Sequence, residues 1–368
     1  MKVPYFDLKE QYARLRPEIL AALDHVCQNA AFILGEEVVA FEQEFAAYCE
    51  TKHCVALNTG TSALHLALLA AGVQAGDEVI TTPNTFIATA EAISYPGAKP
   101  VFVDIDPATA NIDPAQIERA ITPRTKVIMP VHLYGRPFDL DAILDIAQRH
   151  KLTVIEDACQ AHGARYRGKR VGGFGQSAAF SFYPGKNLGG YGEGGALTTN
   201  DDRVAQFARE LRDHGQAKRY YHDRIGYNYR MDGFQGAVLR VKLKHLDQWT
   251  AYRQEIAQLY RERLANARVD LPADGPRGEA VYHLFVVYAD NRDAVRTELE
   301  RRGVQTAIHY PVPVHLQKAY AALGHRRGSF PQTERACDRV FSMPLFPEMT
   351  LDQAEYAART LTEVVGTR

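Results

Sequence analysis

Short apolar runs alternate with helix-period patterns across residues 54–199, and this alternation restricts the fold more than any other feature of the chain. The runs end at polar or turn-forming residues and lie at 54–57, 78–82, 100–104, 126–131, 152–156, 178–182 and 196–199. Strands that are apolar along their whole length are typical of a parallel sheet with helices on both faces. We therefore predict an α/β fold built on a mainly parallel sheet.

Apolar residues at helical spacing predict helices between and around these runs, at 8–29, 36–50, 63–71, 87–95, 113–120, 139–150, 201–215 and up to about 243. Beyond residue 250, amphipathic helices alternate with short strands such as 281–287; these helices are expected at 250–265, 291–302 and 351–364. A chain of 368 residues with 46% apolar content can fill more than one core. We predict a large domain at 1–244 and a smaller α+β domain at 245–368.

Charge and cysteine content argue against several classes of function. Lys and Arg number 43 against 44 Asp and Glu, so we expect no nucleic-acid surface. The five cysteines are scattered without CxxC spacing, which indicates reduced thiols in a cytoplasmic protein and no metal site. The start has no signal-peptide pattern and no stretch approaches about 18 apolar residues, so we expect no membrane contact.

Residues suited to ligand binding stand where several predicted strands end. Thr61, Phe86, Asp157 and Lys186 each follow such a run. In sheets of this kind, ligands bind at the carboxyl ends of the strands. We therefore expect these four residues to share one site.

Lys186 lies in a turn of Pro and Gly within the stretch 181–195, SFYPGKNLGGYGEGG, between two apolar strands. A lysine held there, on backbone that glycine allows to approach a ligand closely, is placed to act as an amine. We interpret it as the Schiff-base lysine of a pyridoxal phosphate (PLP) enzyme. For an arbitrary lysine, a solvated position in a loop is the commoner explanation.

Two other phosphate-binding motifs fit this stretch less well. Gly190, Gly192 and Gly195 spell GxGxxG, but the run continues into a strand and offers no helix start for a pyrophosphate. A P-loop is excluded because Gly185-Lys186 is followed by Asn and position 180 is Phe. A nicotinamide oxidoreductase built on these glycines is the rival enzyme class.

Asp157 follows a run of Val and Ile, so its carboxylate should emerge from a buried sheet. A buried carboxylate needs a cationic partner, and the pyridinium nitrogen of PLP would be one. The alternative is a helix-capping or salt-bridged Asp. Gln160, one helical turn later, can donate to the phenolic oxygen of the cofactor.

Phosphate binding is expected at the start of the helix after the first strand. Thr61 and Ser62 stand where free backbone N–H groups point outward, although an ordinary helix cap explains them equally well. Ser181, five residues before Lys186, has a hydroxyl that can share the phosphate. Phe86 can cover one face of the cofactor ring, although such a residue more often belongs to a core.

Four segments in order resemble the DegT/DnrJ/EryC1/StrS family of nucleotide-sugar aminotransferases: NTGTSALH at 58–65, EDACQAHG at 156–163, SFYPGKNLG at 181–189 and GYNYRM at 226–231. The likeness extends from PYFDL at 4–8 to SMPLFP at 342–347. It implies a type I aminotransferase fold, with a mainly parallel seven-stranded sheet in the large domain. It also implies a homodimer whose active sites lie at the subunit interface.

The same resemblance implies a role for individual positions. Lys186 matches the lysine that carries the cofactor, Asp157 the partner of the pyridine nitrogen, and Gln160 the residue at the phenolic oxygen. Phe86 matches the ring-covering position, and Asn228 the residue that reaches the phosphate of the neighbouring subunit. The remaining phosphate-binding positions are matched by Gly60, Thr61, Ser62 and Ser181.

The sequence of the lysine segment, YPGKNLG at 183–189, is similar to the matching segment of family members that aminate C-3 of a keto sugar. We therefore predict a nucleotide-linked sugar, a dTDP-3-keto-6-deoxyhexose, as the amino acceptor. The family resemblance implies L-glutamate as the amino donor, which leaves 2-oxoglutarate, with PLP cycling through pyridoxamine phosphate. Amination at C-4 of a dTDP-, UDP- or GDP-4-keto sugar, and a regulatory protein without transfer activity, are the alternatives. Candidate sugar contacts are Tyr183, His309 and Tyr310, for which packing roles are at least as common.

Overall fold

The structure, a computed structural model, describes residues 1–275 and 277–368 and contains a central seven-stranded sheet with the order β1-β9-β8-β5-β4-β2-β3. Its strands are β1 (His53–Leu57), β2 (Glu78–Thr81), β3 (Lys99–Phe102), β4 (Thr125–Ile128), β5 (Thr153–Asp157), β8 (Ser177–Ser181) and β9 (Gly195–Thr199). Only β9 runs against the others, since it pairs antiparallel with both β1 and β8. The predicted mainly parallel α/β sheet is confirmed.

Helices cover both faces of this sheet and continue through the last third of the chain. They are α1 (Leu8–Gln28), α2 (Glu36–Tyr48), α3 (Gly60–Ala70), α4 (Ala88–Ser94), α5 (Leu140–His150), α6 (Asp202–Arg212), α7 (Gly233–Leu243), α8 (Leu246–Arg263), α9 (Arg292–Arg301), α10 (Pro331–Arg339) and α11 (Leu351–Val365). Short 3-10 turns lie at Pro114–Gln116, Glu118–Ala120, Leu133–Gly135, Val314–Leu316 and Lys318–Leu323.

Side chains alternate between the two faces of the sheet and fill a separate core on each. On one face Phe45 meets both Phe180 and Phe182 edge to face, and Phe41 meets Phe182 in the same way, at centroid distances of 5.1–5.3 Å. Neighbouring strand residues such as Ala179 point to the other face, against α3 and α6. Because both faces are buried, the strands read as continuous apolar runs in the sequence.

Three predicted elements differ from those observed. Helix α3 starts at Gly60 rather than at 63, because the Thr59 hydroxyl accepts from the N–H of Ser62 and caps the helix earlier. The helix expected at 113–120 is two short 3-10 turns. The strand expected at 281–287 is β13 (Phe285–Tyr288), displaced toward the C-terminus.

The C-terminal part of the chain has its own core of buried apolar residues, between α8, α9, α11 and the pair β13–β14 (Val340–Met343). Val3 belongs to this core as well and forms a β-bridge with Val304. The boundary at 244/245 stays a prediction.

Short strands lie outside these sheets. A three-stranded sheet joins β12 (Gly278–Glu279), β6 (Arg165–Tyr166) and β7 (Lys169–Arg170), and β10 (Gln216–Lys218) pairs with β11 (Tyr221–His222) as an exposed hairpin. Within the described ranges, none of the helices has the length and apolarity needed to traverse a lipid bilayer.

Candidate active site

The carboxyl ends of β1, β8 and β5 lie at the same edge of the sheet, with the antiparallel β9 between β1 and β8, and bring three segments of the sequence together. Gly60, which follows β1, packs so closely against β8 that a Cβ atom added to it would lie 2.7 Å from Cβ of Ser181. The same added atom would lie 2.9 Å from Sγ of Cys159, just after β5. The start of α3 therefore lies directly against the ends of β5 and β8.

The first turn of α3 has donors available for an anion. The N–H of Ser62 donates to the hydroxyl of the capping residue Thr59, and the Ser62 hydroxyl donates to Oδ1 of Asn58 at 2.7 Å. Within the described residues the N–H groups of Gly60 and Thr61 have no such partner, as expected for the first positions of a helix. Ser62 is thus buried and engaged in the cap, whereas Gly60 and Thr61 present free N–H groups.

Asp157 ends β5 and is buried. Its Oδ2 accepts from the hydroxyl of Thr89 at 2.8 Å, and its Oδ1 accepts from the N–H of Cys159 at 3.2 Å. Among the described residues its carboxylate forms no ion pair within 4.0 Å. A buried carboxylate held by neutral donors can accept a further, cationic partner.

Lys186 lies in the 182–194 loop between β8 and β9 and is half-buried. Its N–H donates to the carbonyl of Tyr183 at 2.8 Å, which closes a tight turn around it. Desolvation lowers the pKa of the Lys186 amine, and the nearby Cys159 and Asp157 oppose this effect. A lowered pKa raises the fraction of neutral amine, the form that reacts with carbonyl compounds.

Gln160 and Tyr310 line the same edge. Oε1 of Gln160 accepts from the N–H of Tyr134 at 2.7 Å, and its Nε2 donates to the hydroxyl of Tyr310 at 3.2 Å. Tyr310 lies 5.7 Å, between ring centres, from Phe86, which is 53% exposed. The accepting oxygen of the Gln160 amide is therefore occupied, and its Nε2 faces the Tyr310 hydroxyl.

His309 is held by its neighbours. Its Nδ1 lies 2.8 Å from Oγ of Ser342, its carbonyl accepts from the Tyr134 hydroxyl at 2.6 Å, and its ring stacks on Tyr5. Desolvation lowers the pKa of His309 to about 4, and the charge of Lys186 adds to this effect. The imidazole is therefore neutral near pH 7.

Three further predicted residues lie at the rim. Ser181 ends β8, and its Oγ accepts from the N–H of Tyr183 at 3.4 Å. The Tyr183 side chain is 55% exposed. Asn228 is exposed, and its carbonyl accepts from Nδ2 of Asn58 at 3.5 Å, so the 226–230 segment runs beside the start of α3. The structure holds one chain, so the reach of Asn228 toward a neighbouring subunit stays a prediction.

Sequence reasoning missed three supporting residues. Thr59, rather than Thr61, caps α3, and the spacing of Thr59 before the apolar helix was a usable signal. Thr89 and Tyr134 reach the site through the tertiary fold, and no local pattern marks them. Tyr134 has a φ of 61°, which is uncommon for a residue other than glycine and turns its N–H toward Gln160.

Metal binding finds no support in the described part of the chain, where no group of three His, Cys, Asp or Glu residues could hold an ion. The two histidines of the 309–315 segment have different hydrogen-bonding partners. His315 contacts Oε1 of Glu334 at 3.0 Å, whereas His309 contacts Ser342.

Comparisons with known proteins place this site in context. The family model for the DegT/DnrJ/EryC1/StrS aminotransferase family matches residues 13–362. The chain is 49% identical over 366 residues to a pleiotropic regulatory protein of Geobacillus stearothermophilus, covering 99% of this chain and 98% of the relative. It is 47% identical over 354 residues, 96% of this chain and 93% of the relative, to a dTDP-3-amino-3,4,6-trideoxy-alpha-D-glucose transaminase of Streptomyces venezuelae.

Solved structures share the fold. DesV of S. venezuelae, in complex with a ketimine intermediate, is 46% identical with a TM-score of 0.98, covering 100% of this chain and 99% of that chain. NtdA of Bacillus subtilis, with bound cofactor PMP, is 34% identical with a TM-score of 0.92, and the match covers 99% of this chain and 85% of that chain. On the match along nearly the whole chain, this protein belongs to the DegT/DnrJ/EryC1/StrS aminotransferase family.

Proposed function

We propose that this protein is a PLP-dependent aminotransferase that moves an amino group from L-glutamate to C-3 of a dTDP-linked 3-keto-6-deoxyhexose. The observation that carries the proposal is the meeting, at one edge of the sheet, of a lysine with a lowered pKa, a buried carboxylate and a helix start. Relatives named as nucleotide-sugar transaminases support the substrate class. Three of the relatives' names give position 3 for the nitrogen, on dTDP- and UDP-linked sugars.

The residues present fit PLP and its amine form, pyridoxamine phosphate. The Asp157 carboxylate lacks an ion-pair partner among the described residues and suits a protonated pyridine nitrogen. The free N–H groups of Gly60 and Thr61, with the Ser181 hydroxyl, suit a phosphate at a helix start. The close packing of Gly60 against Ser181 brings these phosphate donors to the end of β8, five residues before Lys186.

Each residue then has a defined task. PLP, when bound, supplies an aldehyde that joins amines and a ring that takes up electron density from a neighbouring C–H bond. Lys186 would provide the amine that holds the cofactor, and its free amine would serve as the base that moves the proton of that C–H bond. Asp157 keeps a proton on the ring nitrogen, which makes the ring a better electron acceptor.

The neighbouring side chains orient and enclose the ring. Gln160 donates from Nε2, because its Oε1 is occupied by Tyr134, and this suits the phenolic oxygen of the cofactor. Phe86 covers one ring face. Tyr183, His309 and Tyr310 are proposed to contact the sugar; His309 serves as a neutral hydrogen-bonding group, since its lowered pKa excludes a charged form near pH 7.

A substrate comparison tests the regiochemistry. We expect the purified protein to aminate dTDP-3-keto-6-deoxyhexose with glutamate and to form 2-oxoglutarate in equal amount. The matched reaction uses dTDP-4-keto-6-deoxyhexose under the same conditions. Turnover of only the 4-keto compound would remove the C-3 assignment and leave the aminotransferase assignment in place.

A regulatory protein is the second candidate, because a relative 49% identical over 366 residues is named a pleiotropic regulatory protein. The two functions separate in one assay. A protein that binds PLP but yields no 2-oxoglutarate with either keto sugar would favour the regulatory candidate.

The assembly and location belong to the proposal as well. We propose a homodimer in the cytoplasm, with Asn228 of each subunit completing the other's phosphate site. Exposed apolar side chains support a contact with a second copy; Phe32, Ile33 and Ile225 are 45%, 60% and 94% exposed in the single chain.

A further inference from the structure

A second lysine, Lys242, lies behind the loop that carries Lys186. It belongs to α7, and its side chain is only 1% exposed. Its Nζ donates to the carbonyl of Gly189 at 2.8 Å and lies 4.2 Å from the centre of the Tyr191 ring. No carboxylate in residues 1–275 and 277–368 forms an ion pair with this ammonium. The loop backbone is thus its one hydrogen-bonding partner in the described chain.

The lysine loop is anchored by its own backbone and by contacts with two other parts of the chain. Its own backbone closes it through the N–H of Gly190, which donates to the carbonyl of Phe182 at 2.8 Å. Asn187 anchors the loop beside Lys186, since its Nδ2 donates to the carbonyl of Val281 at 3.0 Å and its Oδ1 lies 3.3 Å from Nδ1 of His283. Helix α7 supplies two more contacts, Lys242 to Gly189 and Gln235, whose Oε1 accepts from the N–H of Tyr191 at 2.8 Å. Helix α7 therefore fixes the segment that begins three residues after Lys186.

Burial of this ammonium is unfavourable by itself. Desolvation lowers the pKa of Lys242 to about 8, and the negative charge of Glu348 opposes the shift. The other titratable groups around it are the phenol of Tyr191 and, beyond it, Tyr12 of α1; Glu348 in turn is near Arg14 and Arg253. An apolar side chain of similar length would fill the same space without this cost.

We propose that Lys242 is a positioning residue, whose ammonium fixes the Gly189 carbonyl and thereby holds the turn that directs Lys186 toward Asp157. A charged donor binds a carbonyl more strongly than a neutral one, which suits a loop rich in glycine. This inference rests on the proposed function, because the residue that Lys242 positions is the proposed cofactor-binding Lys186.

Hydrogen exchange of the cofactor-free protein, followed by mass spectrometry, tests this directly. We expect the amides of 183–191 to exchange about tenfold faster or more in Lys242→Met, while the melting temperature stays within a few degrees of wild type. The Lys242→Gln variant keeps a neutral donor and should restore much of the protection. Turnover should fall about tenfold or more in Lys242→Met, chiefly in kcat, because the amine is misplaced rather than the sugar site.

Two outcomes overturn the proposal. One is unchanged exchange of 183–191 in the methionine variant. The other is a Lys242→Met protein that fails to fold, since that would make Lys242 a source of stability rather than of loop position. Failure of the proposed function looks different, because the wild-type protein would then transfer no amine while the exchange result stood.

Discussion

Asp157 shows at the scale of a single residue why the site favours a cationic ring. Its carboxylate is buried, and the hydrogen bonds it accepts come from the Thr89 hydroxyl and the Cys159 N–H. An ionised carboxylate in such surroundings is stabilised when a positive charge lies beside it.

The Asp157→Asn substitution tests this role. The amide keeps the shape of the side chain but cannot hold the pyridine nitrogen in its protonated form. We expect the variant to bind PLP and to lose on the order of 10³-fold in turnover, several kcal/mol of transition-state stabilisation. The cofactor absorbance measures binding, and 2-oxoglutarate formation measures the rate. A rate like that of wild type would count against the assigned role.

The charge of Lys242 predicts a pH dependence of stability. Its pKa is about 8 in the folded protein against 10.5 in the unfolded chain, so the unfolded state binds more protons between these values. Stability from this residue therefore rises with pH through that window, by about 3 kcal/mol in all. Denaturant unfolding at pH 7 and pH 10 measures this. The free energy of unfolding of wild type should rise relative to that of Lys242→Met at the higher pH. An equal change in the free energy of unfolding of the two proteins between these pH values would contradict the lowered pKa of Lys242.

At the scale of elements, the sequence patterns located the strands and the residues at their ends, but not the contacts that hold those residues. The apolar runs correctly identified the strands, and the ends of those runs carried Asp157 and Ser181, because parallel strands expose their carboxyl ends at one edge. Thr89 and Tyr134 act through contacts made only when distant elements pack. Tyr134 and His309, which are in contact, lie 175 residues apart in the sequence, and no local periodicity predicts such a contact.

Helix α3 provides a prediction at this scale, because its start must approach β8 closely. A side chain at Gly60 would collide with Ser181 and Cys159, so Gly60→Ala should displace the helix start. We expect PLP affinity to fall about tenfold or more, as the free N–H groups move from the phosphate. Titration of the cofactor by absorbance measures this. The matched control is Gly275→Ala, where the nearest atom is 3.8 Å away, and equal affinities in the two variants would sink the argument.

At the scale of the whole molecule, the sheet and the C-terminal core followed from sequence pattern, whereas their connections did not. Val3 pairs with Val304, so the N-terminus joins the C-terminal core, and a pattern within either segment gives no sign of the other. The exposed β10–β11 hairpin was also missed, since its polar and aromatic residues show no strand alternation.

The proposed homodimer predicts complementation between subunits. Lys186→Ala and Asn228→Ala should each be nearly inactive, one through the lost amine and the other through the partner's weakened phosphate site. In a mixed dimer, one of the two sites receives Lys186 and Asn228 from different subunits and is intact. Mixing the two variants after reversible dissociation should therefore recover activity, up to about a quarter of wild type for random mixing. No recovery in a mixture shown to contain mixed dimers would exclude the shared site.

The central claim is that the Lys186 amine is the group that holds PLP, and borohydride reduction tests it most directly. The protein is loaded with PLP, reduced, digested and analysed by mass spectrometry, with Lys186→Ala treated in parallel. The account predicts a pyridoxyl phosphate group on Lys186 in the wild-type protein and no stoichiometric modification in the variant. Modification of another lysine in both proteins, or of none in either, would contradict it.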